Sequence, residues 1–344
     1  MSATTVRSGH RSSPLRSRAV VHEAPHRVGL GELEVRPLTR GEVLVRAAYT
    51  CISPGTELRC LAGRQPDGAD FPYIPGYAMS GEVVEVGPET ALVPGQRVYL
   101  NGTSDGGRCN LMWGGHAAHA VAPETACLPI PDDVGMDQAS LTHLAAIAYN
   151  GVLMADVRPG EVVAVIGLGI LGRLCAGLYT AAGSRVVAID RNPERVRLAC
   201  VGGIEAVVAE ERPAAAIRSL VPDGADVIAD VSGAPDVLAA ALDSARDVPW
   251  SDPTVRGARY VVQGSYPEAF CIPYQAAFLK ELRILLPRDC RLEQRRRVLE
   301  MMAAGDLSTE GLISDIRPPE RASETYRELA AGTSPLLTVA FDWS

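Results

Sequence analysis

The stretch from Glu161 to Asp190, EVVAVIGLGILGRLCAGLYTAAGSRVVAID, constrains the fold of this chain more than any other. Val162 to Ile166 is a short apolar, β-branched run, the pattern of a strand buried on both faces. Gly167, Gly169 and Gly172 follow in G-x-G-x-x-G spacing. Leu174, Ala176, Leu178 and Ala181 then sit among good helix formers, and Gly183 marks a helix stop. Arg185 to Ile189 reads as a second buried strand, ending in Asp190. A glycine turn that joins a strand to a helix predicts a dinucleotide site. The first glycine permits the tight turn, the second lets backbone approach a pyrophosphate, and the third lets helix and strand pack closely. The helix N-terminus offers unpaired N–H groups to the phosphates. Asp190, 18 positions after Gly172, is placed to accept hydrogen bonds from the adenosine ribose hydroxyls. Its charge repels a 2′-phosphate, which favours NAD over NADP, and Arg191 next door weakens that preference slightly.

A chain of 344 residues is long for one core and comfortable for two domains. The net charge of −8 argues against a nucleic-acid or anionic-membrane partner. No apolar run approaches the roughly 20 residues that span a bilayer. The eight cysteines form no C-x-x-C pair, and their scatter suits packed thiols in a reducing compartment. A cytoplasmic location follows as the expectation. Lys280 is the only lysine, a codon bias that points to a GC-rich bacterial genome. Residues 1–18 are Ser/Arg-rich without acids or an apolar core, and read as a disordered extension rather than a secretory signal.

Ala19 to Leu100 reads as short strands and turns. Val43 to Tyr49 and Gly81 to Val86 alternate, and Pro54-Gly55, Pro75-Gly76, Gly87-Pro88 and Pro94-Gly95 punctuate them. The expectation is a small, irregular β-barrel. Met136 to Leu153 is apolar and helix-like and leads into the nucleotide-binding unit. After Asp190, helices alternate with strands at Val207-Val208, Asp226–Asp230, Arg259–Gln263 and Leu282–Leu286, which predicts a doubly wound parallel sheet. Arg291–Ala304 and Ser323–Ala331 read as helices, and Leu336–Asp342 as a closing strand.

A β-rich front, a central dinucleotide fold and a returning tail resemble the medium-chain dehydrogenase/reductase superfamily. Phe71 to Gly87 (FPYIPGYAMSGEVVEVG) and Pro94-Gly95-Gln96-Arg97-Val98 are similar to that family's front-domain segments. The resemblance implies a GroES-like catalytic domain over 19–139 and 289–344 and a Rossmann domain over 140–288. It also implies alcohol oxidation or ketone reduction with NAD, and a homodimer formed near Leu282 to Leu286. A small-molecule substrate is expected, with no nucleic acid and no membrane as partner.

Zinc members of the superfamily carry C-G-[ST]-D and G-H-E motifs. Here the first is Pro54-Gly55-Thr56-Glu57 and the second Gly76-Tyr77-Ala78, so Pro54 and Tyr77 stand in place of a thiolate and an imidazole. Proline and alanine cannot ligate zinc, and Cys109 alone lies where four structural cysteines are needed. The expectation is no catalytic or structural zinc. Ile52 to Glu57 (ISPGTE) resembles the zinc-lacking branch that includes the hydroxyethyl bacteriochlorophyllide dehydrogenases.

Without a metal, side-chain donors must be aimed at the reacting oxygen. By resemblance, Thr56 is the hydroxyl that bonds the substrate oxygen, Tyr77 points its phenol into the cleft, and His143 relays the proton. Glu57 matches the acid that stands behind the metal ligands of the zinc enzymes, and here orients Tyr77, Arg59 or His143, or closes a surface ion pair. His116 and His119 read as structural. On the cofactor side the resemblance adds Leu168, Ile170 and Leu171 of the turn, Arg191 stacking on adenine, Ser232 near a ribose and Gly264 near the nicotinamide. Trp113, Tyr274 and Phe278 are candidate pocket residues. Two other chemistries stay open: enone or quinone reduction, which favours NADPH, and a redox-neutral epimerase that retains its NAD.

Overall fold

In the computed structural model, residues 15–66, 68–252, 254–266, 269–332 and 335–344 are described. The chain divides into two units, one up to His143 together with Thr309–Ser344, the other Leu144–Ser308.

The first unit is built on two sheets. The larger one among the described residues orders its strands Asp315–Arg317, Val339–Asp342, Glu42–Cys51, Met79–Val86, Arg97–Leu100 and Leu128–Pro129, with His119–Pro123 also on Glu42–Cys51. The smaller one runs Arg27–Val35, Leu15–Ala24, Tyr73–Ile74, Asn110–Leu111. Val43, Val45, Ala47, Val83, Val98, Ala120 and Phe341 point into one shared core, as period-2 strands with one buried face require. The closing strand is thus a central member of the front domain: Ala340 pairs with Cys51 and Phe341 with Thr50.

Two expectations need correction here. Residues 15–18 belong to no extension: they open the strand Leu15–Ala24 and pair with Val35 to Glu32. Their Ser/Arg composition misled because Arg16 and Arg18 are outward members of the strand, held by Glu32 and Glu320. Residues 1–14 lie outside the described residues. The helix expected over Met136 to Leu153 is two helices, Met136–Ala139 and Thr142–Ala155. Ser140 Oγ takes the Asp137 carbonyl and Thr142 Oγ1 the Ala139 carbonyl, the competition for backbone groups that interrupts helices at such residues.

The second unit carries a six-stranded sheet, wholly parallel among the described residues, ordered Glu205–Val208, Arg185–Asp190, Val162–Ile166, Val227–Asp230, Arg259–Val262, Arg283–Leu285. Val163, Ala164, Val165, Val187, Ala188, Val227 and Ile228 are all fully buried, as strands covered on both faces must be. The order reverses beside Val162–Ile166, so the crevice at that strand's carboxyl end is the binding position of an open α/β sheet. Helix Leu292–Ala304 lies in this unit rather than in the catalytic domain drawn from 289 onward. Gln294 Nε2 donates to Asn150 Oδ1, Asn150 Nδ2 donates to the Asp289 carbonyl, and Leu307 sits beside Gly177. No helix of the described residues is long and apolar enough to cross a membrane.

Candidate active site

In the second unit the glycine turn has the geometry its spacing predicts. Gly167 follows the central strand at φ +96°, a backbone conformation that favours glycine. A Cβ on Gly172 would lie 1.8 Å from the Gly167 carbonyl oxygen, so only glycine closes this turn. Gly169 is the N-cap of helix Ile170–Ala181 and has no side chain to cap it, which leaves the first-turn N–H groups for an anion. Leu168 and Ile170 are buried, so only their backbone can serve a ligand.

Asp190 is engaged locally. Its Oδ2 accepts the Leu168 N–H at 2.6 Å and its Oδ1 the Asn192 N–H at 2.8 Å. The carboxylate therefore ties the second strand's end to the phosphate turn, and the Leu168 N–H is already spent. Each oxygen keeps a second lone pair for a ribose hydroxyl. Arg191 is exposed. The sequence did not single out Arg195, one turn into helix Pro193–Val201. Its Nη1 lies 3.8 Å from where a Gly169 Cβ would be, and its Nε is buried with no hydrogen-bond partner. A turn that admits no Cβ at Gly172, with first-turn N–H groups and the unpartnered Arg195 Nε near Gly169, fits a dinucleotide phosphate or ribose.

At the end of the next strand Asp230 is fully buried. It accepts from the Ser232 N–H at 2.9 Å, the Ser232 hydroxyl at 2.6 Å and the Tyr260 hydroxyl at 2.8 Å. Ser232 thus spends its only hydrogen inward and can meet a cofactor only as an acceptor. Gly264 donates its N–H to the Asp230 carbonyl, and a Cβ there would stand 2.7 Å from the Gly233 nitrogen.

The first unit gathers a separate polar cluster. Gly76, at φ +88°, packs so closely on His116 that a Cβ would lie 2.6 Å from its ring, and this turn presents Tyr77. The Tyr77 hydroxyl donates to Ser53 Oγ at 2.5 Å and lies 3.4 Å from Thr56 Oγ1. Its ring meets His143 at 4.6 Å between centroids and the edge of Trp113 at 5.0 Å. His143 Nδ1 is 3.1 Å from Asn101 Oδ1, which also accepts the Tyr99 hydroxyl at 3.2 Å. An amide oxygen can only accept, so it fixes the His143 proton on Nδ1. Thr56, Tyr77 and His143, widely spaced in sequence, are brought together; Ser53 and Asn101 complete the group and were not foreseen. Tyr274 and Phe278 instead stack on one another on the surface of the second unit, 5.8 Å apart.

Glu57 belongs to a different layer. It is buried rather than in a surface ion pair, and its carboxylate is held by other partners. Its oxygens accept from the Ser53 N–H at 2.7 Å, from His116 Nε2 at 3.0 Å and from the Tyr326 hydroxyl. Trp343 Nε1 donates to Thr50 Oγ1, which in turn meets His116 Nδ1 at 2.7 Å. Burial drives the Glu57 carboxyl upward, but His116, the Ser53 N–H and Tyr326 together hold it below the usual carboxylate range. Beside this cluster burial pushes His22 down to about 4, and its Nδ1 lies 3.2 Å from the Tyr73 hydroxyl. Arg59 is held by Gln65 at 2.7 Å.

Residues 39–132 match the alcohol dehydrogenase GroES-like domain, and residues 167–297 match a domain described as zinc-binding dehydrogenase. Across 96% of its length the chain is 28% identical to 2-desacetyl-2-hydroxyethyl bacteriochlorophyllide A dehydrogenase of Cereibacter sphaeroides, covering 99% of that protein. It is also 28% identical to an alcohol dehydrogenase of Geobacillus stearothermophilus, over 91% of this chain and 96% of that one. Among solved structures, alcohol dehydrogenase TADH from Thermus sp. ATN1 superposes with a TM-score of 0.81 at 25% identity, over 94% of this chain and 99% of that one. With a GroES-like front unit, a Rossmann-type second unit and these relatives, the chain belongs to the medium-chain dehydrogenase/reductase superfamily and is an oxidoreductase.

Proposed function

We propose that this oxidoreductase interconverts a secondary alcohol and its ketone with NAD, and does so without zinc. The substrate class is a sugar, a cyclitol or another specialised metabolite. The observation that carries the proposal is the hydroxyl and imidazole cluster of Tyr77, Thr56 and His143, standing where the zinc members of the superfamily keep a metal ligand. NAD, when bound, supplies or takes up the hydride. Gly167, Gly169 and Gly172 would admit its phosphates, Arg195 would meet the phosphate or ribose, and Asp190 would accept from the adenosine ribose. Arg191, Ser232 and Gly264 would line the same site.

Loss or gain of hydride at the carbinol carbon leaves a proton to move at its oxygen. Tyr77 holds a transferable proton and Thr56 a second hydroxyl donor, and pre-aimed donors of this kind stabilise developing oxyanion charge. His143, its proton fixed on Nδ1 by Asn101, is the imidazole against the Tyr77 ring that would exchange this proton. Glu57 acts through Ser53 by holding the backbone from which Ser53 and Thr56 project. The relatives named above are a hydroxyethyl bacteriochlorophyllide dehydrogenase and alcohol dehydrogenases, which supports this choice over enone reduction.

The test is a panel of secondary alcohols assayed with NAD and NADP, with product identified by mass spectrometry. The expected outcome is alcohol-dependent NADH formation with preference for NAD. Preference for NADPH with an activated alkene would favour the reductase chemistry, and retained NAD without net turnover the epimerase. The partner proposed is a second copy of the chain, joined through the edge strand Arg283–Leu285 beside the exposed Leu286; sedimentation at equilibrium checks it.

A further inference from the structure

Ser53 occupies the N-cap of helix Pro54–Leu61, yet its side chain makes no capping hydrogen bond. Serine at an N-cap ordinarily accepts from the N–H of the second or third helical residue. Here Oγ is given to the Tyr77 hydroxyl instead, at 2.5 Å. The cap's own backbone is fixed by a different bond: the Ser53 N–H donates to the Glu57 carboxylate at 2.7 Å, and Glu57 is itself anchored by His116 and Tyr326. Ser53 is 5% exposed and stands on a backbone pinned by a buried charge. A residue that abandons a common stabilising role, in a rigid setting and beside a candidate proton donor, is where function is expected to override local preference.

Two hydroxyls this close hold two hydrogens and can share them in two ways. Either Tyr77 donates to Ser53, or Ser53 donates to Tyr77 and the phenolic hydrogen turns outward. We propose that Ser53 is a positioning residue for Tyr77, donating its hydroxyl hydrogen to the phenolate oxygen that remains once Tyr77 has given up its proton. The proposal rests on the alcohol/ketone chemistry proposed above. In the reducing direction the carbonyl carbon accepts a hydride, with its two electrons, from the reduced nicotinamide, which is thereby oxidised. The carbonyl π pair moves to oxygen, and that oxygen takes the Tyr77 proton as the phenolic O–H bond breaks. Ser53 rotates its O–H onto the phenolate, and water later returns a proton to Tyr77. The oxidising direction is the reverse. The titratable groups that face this pair are His143, whose ring lies against Tyr77, and Glu57 with His116 behind Ser53. Ser53 bonds Glu57 through its N–H and Tyr77 through its Oγ, and so links that buried layer to Tyr77.

The test is a proton titration of the free protein that needs neither cofactor nor substrate. With isotope-labelled tyrosine rings, the Tyr77 resonance is identified by its loss in Tyr77→Phe and followed with pH. A hydrogen bond to a charged group contributes about 1.5–3 kcal/mol, or about one to two pH units. Ser53→Ala is expected to raise the Tyr77 midpoint by about that shift, and Ser53→Thr to restore it. In turnover, Ser53→Ala is expected to lower kcat about tenfold or more while KM for the alcohol stays put. Because no capping bond is lost, its melting temperature is expected to stay near wild type; should the variant fail to fold, Ser53→Cys, a weaker donor of similar size, carries the titration with a smaller upward shift. An unmoved midpoint in a folded Ser53→Ala or Ser53→Cys variant overturns the inference. Absence of turnover on any alcohol would strike the proposed function while leaving the titration result to stand on its own.

Discussion

The two polar sites of this molecule are made in opposite ways. The phosphate turn of the second unit is made of backbone: Gly172 fits because nothing larger clears the Gly167 carbonyl at 1.8 Å, and Asp190 serves mainly to tie Leu168 in place. The cluster of the first unit is made of side chains, Ser53, Thr56, Tyr77 and His143, set on a buried carboxylate. At Gly172 the backbone site tolerates no added atom, and it is nearly indifferent to the chemistry of its neighbours. A side-chain site tolerates changes of shape better than the loss of a single proton. Substitutions can break that contrast.

The largest effect is expected at Gly172→Val. Its Cβ would overlap backbone that cannot rotate away, so overpacking beyond the usual 1–3 kcal/mol is expected, read as loss of the folded second unit in thermal unfolding and of all NADH binding. Tyr77→Phe sharpens the other side. It is expected to cut kcat about 100- to 1,000-fold, with cofactor binding measured by fluorescence unchanged and little change in melting temperature. If Tyr77→Phe weakened NADH binding as strongly as turnover, the division between the two sites would fail.

The buried layer beneath the side-chain site has its own signature in pH. His22 titrates near 4 in the folded chain against 6.5 when unfolded, so it is neutral in both states above 6.5. As pH falls from 6.5 towards 4 the unfolded chain takes the proton first, and about 3 kcal/mol of stability is lost. Glu57, held below its ordinary 4.5, contributes stability that is present above 4.5 and lost as pH falls below it. Denaturant unfolding across this range is expected to show the decline, and His22→Phe to flatten its upper part. The smallest effect is expected at Asp190→Asn, which removes the charge that repels a 2′-phosphate. A narrowing of the NAD preference by about tenfold is expected, on the order of 1.4 kcal/mol, from paired dissociation constants for NADH and NADPH.

The same contrast explains what could be read from sequence. The glycine turn and the strands Val162–Ile166 and Arg185–Asp190 were legible because backbone sterics and burial write themselves into spacing and periodicity. Thr56 and Tyr77 came from a resemblance, and nothing in their spacing links them. Ser53 stayed hidden because a serine before Pro-Gly at a helix start looks like an ordinary cap, and its partner is 24 positions away. Asn101 sits in a glycine-rich loop, and its value lies in one oxygen shared by Tyr99 and His143. Arg195 was hidden in a helix whose exposed face is charged at Glu194 and Arg197 as well. Glu57 reads from sequence as an acid that orients Tyr77, Arg59 or His143 or closes a surface ion pair; only the fold brings His116 and, from the tail, Tyr326 onto it.

In the proposed reaction protein hydroxyls do the work of a metal at the reacting oxygen. The direct measurement is turnover of a secondary alcohol with NAD by protein stripped with a chelator, with zinc content determined on the same sample. Full activity at far less than one zinc per chain is the predicted result. Activity that vanishes on stripping and returns in proportion to zinc added back would contradict it.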